Sequence, residues 1–328
     1  MSDPSGKLLD SLTGRQRLLD RFDRIEKLLA EQAEHAAQQR AKIDHIERRL
    51  EEAIGYFAVR SNRLVDSQST YLGDNTAITF LENGIRILVD TRSIDIGIHL
   101  LTLGRWETAY TALFTRLVKP GHTVLDIGAN HGVYALLAAQ ITGPTGRVDA
   151  FEPNPRLAKL VDLSLRLNGF APWARVHALG VSEAMGNAKL VFNDNFSGGG
   201  SVALAGSAGQ ARPGVECRLV SLDDMFADPT YRPDVIKMDV EGHEGRALRG
   251  MRRMLERSPE VRIMMEFGPP MMRSAGVAAP EVVAFFETLG LSAWTITEEG
   301  GVLPTPWADL AAQTDGLQNI LVARQAPE

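Results

Sequence analysis

The chain has 328 residues, a formal net charge of −6 and a single cysteine, Cys217. The acidic balance argues against a broad nucleic-acid footprint, and one cysteine excludes an intrachain disulfide, so nothing calls for an oxidising compartment. An apolar content of 44% supports a sizeable core. Met1–Asp10 has no signal-peptide segment and no later run of about 18 apolar residues could span a bilayer, so the chain reads as cytoplasmic.

The first predicted element is a long helix. Phe22, Ile25, Leu29, Gln32, Ala36, Gln39, Ile43, Ile46, Leu50, Ala53 and Phe57 alternate steps of three and four, and Leu18 extends the series. A seven-residue repeat over five heptads exceeds what a packed surface helix needs and predicts a left-handed coiled coil. Neither glycine nor proline interrupts Asp20 to Glu52, and residues 1–57 carry ten Lys or Arg against eleven Asp or Glu. Mixed charges of this kind solvate the outside of a coil. Self-association through residues 18–57 is expected, against the plainer reading of one helix folded back on its own domain.

Ala77 to Asp90 then reads as a hairpin around Glu82-Asn83-Gly84, since Asn-Gly favours a tight turn. A helix over Arg105–Val118 puts Trp106, Tyr110, Leu113, Phe114 and Leu117 on one face and ends at Pro120-Gly121. Beyond it, strands and helices alternate, which predicts a doubly wound, mostly parallel α/β sheet.

The strongest motif opens that sheet. Val124-Leu125-Asp126-Ile127 is an apolar strand ending near an acid, Gly128-Ala129-Asn130-His131-Gly132 a glycine-bounded turn, and Val133 begins an apolar helix. The turn admits a ligand to bare backbone. A second strand, Arg147–Phe151, ends in Glu152, where an acid can receive two ribose hydroxyls. The turn is G-x-x-x-G rather than G-x-G-x-x-G, and Asp126 would repel a pyrophosphate while suiting a cationic ligand such as S-adenosylmethionine. This weighs against a nicotinamide-dependent dehydrogenase. His131 is not assigned a catalytic role.

Asn154 is placed to cap a Pro155–Leu167 helix that stops at Asn168-Gly169, and Arg175–Gly180 is the third core strand. Ala188–Phe192 and Val215–Val220 are β-like and enclose a Ser/Gly/Ala-rich loop around Asn193–Arg212. A helix near Glu244–Arg257, a strand ending at Phe267, a Pro280–Leu289 helix and a strand at Asn319–Arg324 complete the series.

Lys237-Met238-Asp239-Val240-Glu241-Gly242-His243-Glu244 and Met264-Met265-Glu266-Phe267 join the first motif and Phe151-Glu152-Pro153-Asn154-Pro155 in a pattern that resembles the FkbM family of S-adenosylmethionine-dependent methyltransferases. The resemblance spans roughly Gly104 to Arg324. It implies a class I methyltransferase fold with a seven-stranded sheet whose last strand runs antiparallel, and O-methylation, often of sugars in polysaccharide or natural-product pathways. Taken with the heptads and the hairpin, which lie largely outside the resemblance, the expected division is a coiled-coil helix over 1–60, a hairpin-and-helix cap over 61–119 and a methyltransferase domain over 120–328. By the same resemblance Asp126, Gly128, Asn130 and Gly132 line the methionine end of the cofactor, Glu152 binds ribose and Glu107 reaches its amino group. Ala178 and Leu179, after the third strand, are set against the adenine.

Methyl transfer to a hydroxyl aligns oxygen, carbon and sulfur, and the hydroxyl needs a base or a metal to become a good nucleophile. Asp239, Glu241, His243 and Glu266 stand at the expected strand ends as candidates. Asp239 and Glu266 could hold Mg²⁺, a hard ion that prefers oxygen; His243 could instead take the acceptor proton. The metal-free route is favoured, because few acids sit at neighbouring strand ends. The remaining alternative is a non-catalytic coiled-coil scaffold carrying a degenerate domain. Lys237 is expected to pair with an acid or reach solvent.

Overall fold

The computed structural model describes residues 21, 24–25, 27–30, 32–55, 69–191, 201–203 and 214–326. The chain forms two compact units, Met1–Val65 and Asp66–Glu328. In the first, residues 32–55 form one helix, α1. Ile25, Leu29, Ile43, Ile46 and Leu50 of the heptad seam are each more than half exposed. Leu18, Phe22 and Phe57 lie outside the described residues.

The second unit opens with an antiparallel sheet, β1 (Thr70–Gly73), β2 (Thr76–Phe80) and β3 (Arg86–Asp90). β2 and β3 form the expected hairpin, with Ile78 opposite Leu88; β1 adds an edge whose sequence, Thr-Tyr-Leu-Gly, is too short to signal itself. Two helices follow, α2 (Ile96–Leu103) and α3 (Thr108–Leu117). Helix α2 was not anticipated. The expected Arg105–Val118 helix starts later, with Glu107 at its N-cap in a left-handed conformation, φ 40°.

The core then alternates β4 (Thr123–Ile127), α4 (Val133–Thr142), β5 (Arg147–Phe151), α5 (Pro155–Leu167) and β6 (Ala174–His177). Asn154 caps α5 by accepting the Arg156 N–H at 3.0 Å, as its position before proline suggested. The third strand stops at His177. Gly180–Val181 (β7) instead joins a separate sheet with β8 (Gly186–Val191), β9 (Ser201–Ala203) and β10 (Val215–Val220), in the order β7-β10-β8-β9. Most of the Asn193–Arg212 loop lies outside the described residues.

After α6 (Leu222–Met225) come β11 (Val235–Met238), α7 (Glu244–Arg249), α8 (Arg252–Glu256) and β12 (Arg262–Phe267). The single helix expected over Glu244–Arg257 is two, separated at Gly250, a poor helix former. The chain closes with α9 (Pro269–Ser274), α10 (Ala279–Thr288), β13 (Ser292–Ile296), β14 (Val302–Thr305), α11 (Trp307–Ala312) and β15 (Gln318–Ala323).

The main sheet has eight strands in the order β14-β13-β15-β12-β11-β4-β5-β6. Strands β12, β11, β4, β5 and β6 are parallel, and β15, last in the chain, runs antiparallel between β12 and β13. Seven of these strands give the expected class I methyltransferase sheet; β14 extends it through a hairpin with β13.

Strand alternation assigns the two faces. Leu125, Ile127, Ile236, Met238, Ile263 and Met265 pack with Leu248, Met251 and Phe286 on one side. Val124, Val148, Ala150, Val235, Met264 and Leu321 pack on the other with Leu113, Phe114 and Tyr134 from α3 and α4. Period two therefore sends Asp126, Lys237 and, one step past the strand ends, Glu152 and Asp239 to the α3/α4 side, together with Glu266.

Candidate functional site

The pairing register gathers the site. Lys237 lies beside Asp126 on neighbouring strands and Met264 beside Lys237 on the other flank; extending that register by two residues sets Glu266 next to Asp239. All face α3 and α4 at the carboxyl edge of the sheet.

Asp126 is fully buried. Its Oδ2 accepts the Ala135 N–H at 2.8 Å, fastening the first turn of α4, and its Oδ1 lies 3.8 Å from Lys237 Nζ. Lys237 is itself buried; its ammonium donates to the Gly128 carbonyl at 2.9 Å and stands 3.5 Å from Asp239 Oδ2. Burial alone would lower the Lys237 pKa, but the Asp239, Asp126 and Glu107 carboxylates outweigh it and raise it. Burial raises the pKa of Asp126, with the lysine opposing.

The turn after β4 is shaped by contact with the next motif. Gly128 has φ 81°, and a Cβ there would fall 1.8 Å from the Asp239 carbonyl oxygen. A residue with a side chain would thus push apart the two motifs that define the site. The N–H groups of Gly128 and Ala129 both donate to the Phe151 carbonyl, at 2.9 and 3.0 Å. Gly132 closes the turn, its Cα packed on Val161.

Asn130 adopts φ 51°, and its N–H donates to Glu152 Oε2 at 2.7 Å, while the Asn154 N–H donates to Oε1 at 2.8 Å. Both amides hold the Glu152 carboxylate in a fixed orientation, yet burial pushes its pKa up to about 7. His131 ties the turn to the hairpin sheet: it accepts the Asp90 N–H at 3.3 Å through Nε2, and its Nδ1 lies 2.6 Å from Asn130 Oδ1. Burial holds the imidazole pKa down at about 4, so the ring is a neutral strut.

Glu107 is brought to the same edge by the left-handed N-cap of α3. It accepts the Tyr134 hydroxyl at 2.8 Å, and burial raises its pKa against hydrogen bonds from Tyr134 and Asn319. Glu241 and Glu266 complete the wall. Burial and the Asp239 charge push each to about 8, and each lies in reach of further carboxylates. Glu241 is a non-glycine residue at φ 51°, a conformation that costs on the order of 1–3 kcal/mol.

The structure thus brings together Glu107, Asp126, Gly128, Asn130, Gly132, Glu152, Asp239, Glu241 and Glu266. One expected residue stands apart. His243 is buried with Nε2 3.0 Å from Ser182 Oγ, and its pKa of about 4 reflects burial and the nearby Arg246. Its partners lie in the β7–α7 region rather than among the acids. Ala178, exposed between β6 and β7, directly follows His177, whose carbonyl accepts the Glu152 N–H at 3.0 Å. Residues the sequence did not single out for the site are Tyr110, Tyr134 and Asn319. Tyr110 is buried and its hydroxyl responds to Glu107, Asp239, Asp126 and Glu266. Aromatic spacing on a helix reads as core, and nothing local marks these hydroxyls.

Among the described residues, no group of three or more His, Cys, Asp and Glu side chains is placed to hold a metal ion. The Lys237 ammonium already faces Asp239 at 3.5 Å. No helix of the described residues is long and apolar enough to cross a membrane.

The Methyltransferase FkbM domain model matches residues 126–292. The chain is 34% identical over 82 residues to the protein-L-isoaspartate O-methyltransferase of Methanopyrus kandleri, covering 23% of this chain and 36% of that protein. It therefore spans about a third of that relative's length. Among solved structures, the S-adenosylmethionine-dependent O-methyltransferase of Thermotoga maritima aligns with a TM-score of 0.37 at 14% identity, over 76% of this chain and 78% of that one. The O-methyltransferase of tomaymycin synthesis from Streptomyces achromogenes, solved with S-adenosylmethionine, aligns with a TM-score of 0.36 at 15% identity, over 66% and 78%. With Asp126, Glu152, Asp239 and Glu266 all inside the matched span, the chain belongs to the FkbM methyltransferase family.

Proposed function

We propose that the protein transfers a methyl group from S-adenosylmethionine to a hydroxyl of a sugar, glycan or natural-product acceptor. The observation that carries this reading is the wall of carboxylates at the carboxyl edge of β4, β11 and β12, in which Glu107, Asp126, Asp239, Glu241 and Glu266 outnumber the Lys237 ammonium. Such a donor set fits a ligand that bears both a sulfonium and an ammonium charge, and it disfavours a pyrophosphate. S-adenosylmethionine supplies the electrophilic methyl.

In this reading the chain does the positioning. Glu152, oriented by two backbone amides, receives the ribose hydroxyls. The bare Gly128 backbone admits the methionine end, while Glu107 and Asp239 face its positive charges. Glu241 and Glu266 lie on the acceptor side. Carboxyls titrating near pH 8 suit general-base work close to neutrality, so one of this pair takes the acceptor proton as the oxygen attacks. His243, turned towards Ser182, is left out of this step. No step is routed through Mg²⁺.

Titration calorimetry and mass spectrometry test the reading together. S-adenosylmethionine is expected to bind and NAD not to, with a hydroxylated acceptor gaining one methyl; binding of NAD alone would overturn it. Glu152→Ala is expected to weaken cofactor affinity by about 1–3 kcal/mol, the usual cost of leaving buried polar groups without partners. Unchanged affinity would place the ribose elsewhere.

Residues 18–57 supply the association. The heptad seam is exposed along α1, and removal of residues 1–57 is expected to lower the oligomeric state with cofactor binding intact. Light scattering reads the mass; an unchanged value would show that association has another source.

A further inference from the structure

We infer that α1 pairs with α1 of another copy of this chain as a parallel, in-register coiled coil, with Gln32 and Gln39 setting the register. The inference rests on the association proposed above and adds the orientation.

In the heptad that the seam defines, Leu29, Ala36, Ile43 and Leu50 occupy a positions and Ile25, Gln32, Gln39, Ile46 and Ala53 occupy d positions. Apolar side chains more than half exposed run along this stripe at Ile25, Leu29, Ile43, Ile46 and Leu50. They leave an unsatisfied face of the kind that a second helix covers. Two amides at d positions are costly in such a seam unless each meets a hydrogen-bonding partner.

Orientation decides whether they do. In a parallel, in-register pair each layer meets its own copy, so Gln32 faces Gln32 and Gln39 faces Gln39, and each amide offers the other a donor and an acceptor. An antiparallel pair matches a with d positions. Its fullest overlap sets Ala36 against Gln39 and buries Gln32 against Ile43, where the amide has no polar partner.

The flanking charges point the same way. In a parallel coil a g residue meets the next e residue of the partner, which brings Lys42 opposite Glu47. The antiparallel overlap instead brings His35 towards Lys42, two basic groups. The parallel pairing has one unfavourable flank, His35 opposite Arg40. There the imidazole already engages its own helix, with Nε2 3.1 Å from Gln39 Nε2. Flexible small or polar layers at Gln32, Ala36 and Gln39 limit the stability of the coil, while the Ile43, Ile46 and Leu50 layers carry it.

The test uses the full chain with Ala53→Cys; the native Cys217 is buried and serves as the unlinked control in the wild-type protein. A parallel pair sets the two introduced thiols side by side at a d layer. In the antiparallel overlap they are about 45 Å apart, from the helical rise over 31 residues. Under reducing conditions light scattering is expected to give a mass of more than one chain, and air oxidation or a short bismaleimide is expected to give a covalent dimer as the main product. A multi-chain mass without cross-linking would overturn the orientation while leaving association intact. A single-chain mass would overturn the association itself, and this inference with it.

Discussion

Lys237→Met is expected to cost about 3–5 kcal/mol of stability, because it strips the compensating charge from a fully buried carboxylate. Asp126 lies 3.8 Å from the Lys237 ammonium and Gly128 O accepts from it at 2.9 Å, so the substitution leaves one charge and one carbonyl without a partner. A loss of that size is a large share of the 5–15 kcal/mol typical of a domain. The pH dependence of the variant has a definite sign. Burial already raises the folded-state pKa of Asp126 above its ordinary value of 3.8, and losing the lysine raises it further. A group raised on folding stabilises the protein below its unfolded pKa, and that contribution is lost as pH climbs through the folded value. The variant should therefore recover stability in mild acid, as the buried acid takes up a proton. Adding Asp126→Asn should restore much of what Lys237→Met loses, and chemical denaturation of both singles and the double gives the coupling directly. Additive losses would mean that the two side chains do not sense one another. Asp126 thus acts on the fold as well as on the pocket, and Asp126→Ala should destabilise the protein instead of lowering cofactor affinity alone.

Glu266→Gln and Glu241→Gln are expected to separate the base from its neighbour. Removing a general base lowers turnover by about 10²–10⁴-fold, whereas removing a carboxylate that only faces the acceptor should act mainly on KM. Wild-type turnover should rise with pH as a carboxyl that titrates near 8 loses its proton, and the variant lacking the base should lose that rise. Stability moves the other way. Both groups are raised from 4.5 to about 8, so the cofactor-free protein should lose stability as pH rises from the ordinary carboxyl range through about 8. A cationic ligand favours the ionised carboxylates, so cofactor affinity should increase over the same interval. Chelator should leave turnover unchanged. A turnover profile flat from pH 6 to 9 in the wild-type protein would remove both glutamates from the proton transfer.

Much of this was legible in the residues, for local reasons. The Asn83-Gly84 turn, the Asn154-Pro155 helix start and the Gly128–Gly132 loop are short-range signals, and the structure carries each where the sequence set it. Strand parity was legible too: Lys237 and Asp239 are two apart, so their common face follows from the period. What the sequence did not reveal depends on which strands become neighbours. Lys237 was left between an acid and solvent until the register set it beside Asp126. His243 looked like a base because it follows two acids, but the chain leaves the strand after Met238 and carries the ring to Ser182. Tyr110 and Tyr134 were read as core, correctly, and their hydroxyls reach the site only because α3 and α4 pack side by side at that edge. The helix expected over Glu244–Arg257 failed at Gly250, where continuous apolar spacing masked a break.

The placement of β15 has a consequence for how the molecule is made. This strand, Gln318–Ala323, lies between β12 and β13, which precede it in the chain. Until it inserts, β12 and β13 have no ladder between them, and each presents an open edge. A ribosome that has released residues up to about 300 therefore holds a nascent chain with a gap in its main sheet. Insertion pairs Asn319 with Glu266 and Leu321 with Met264, contacts across more than fifty residues of chain, and such distant pairings form slowly. Asn319 thus reaches Glu266 last, after the glycine turn and Glu152 have already been set by their near neighbours. Exposed edges awaiting a late strand are where chains associate wrongly. Loss of β15 by truncation should accordingly yield aggregation in the cell before it yields an inactive soluble enzyme.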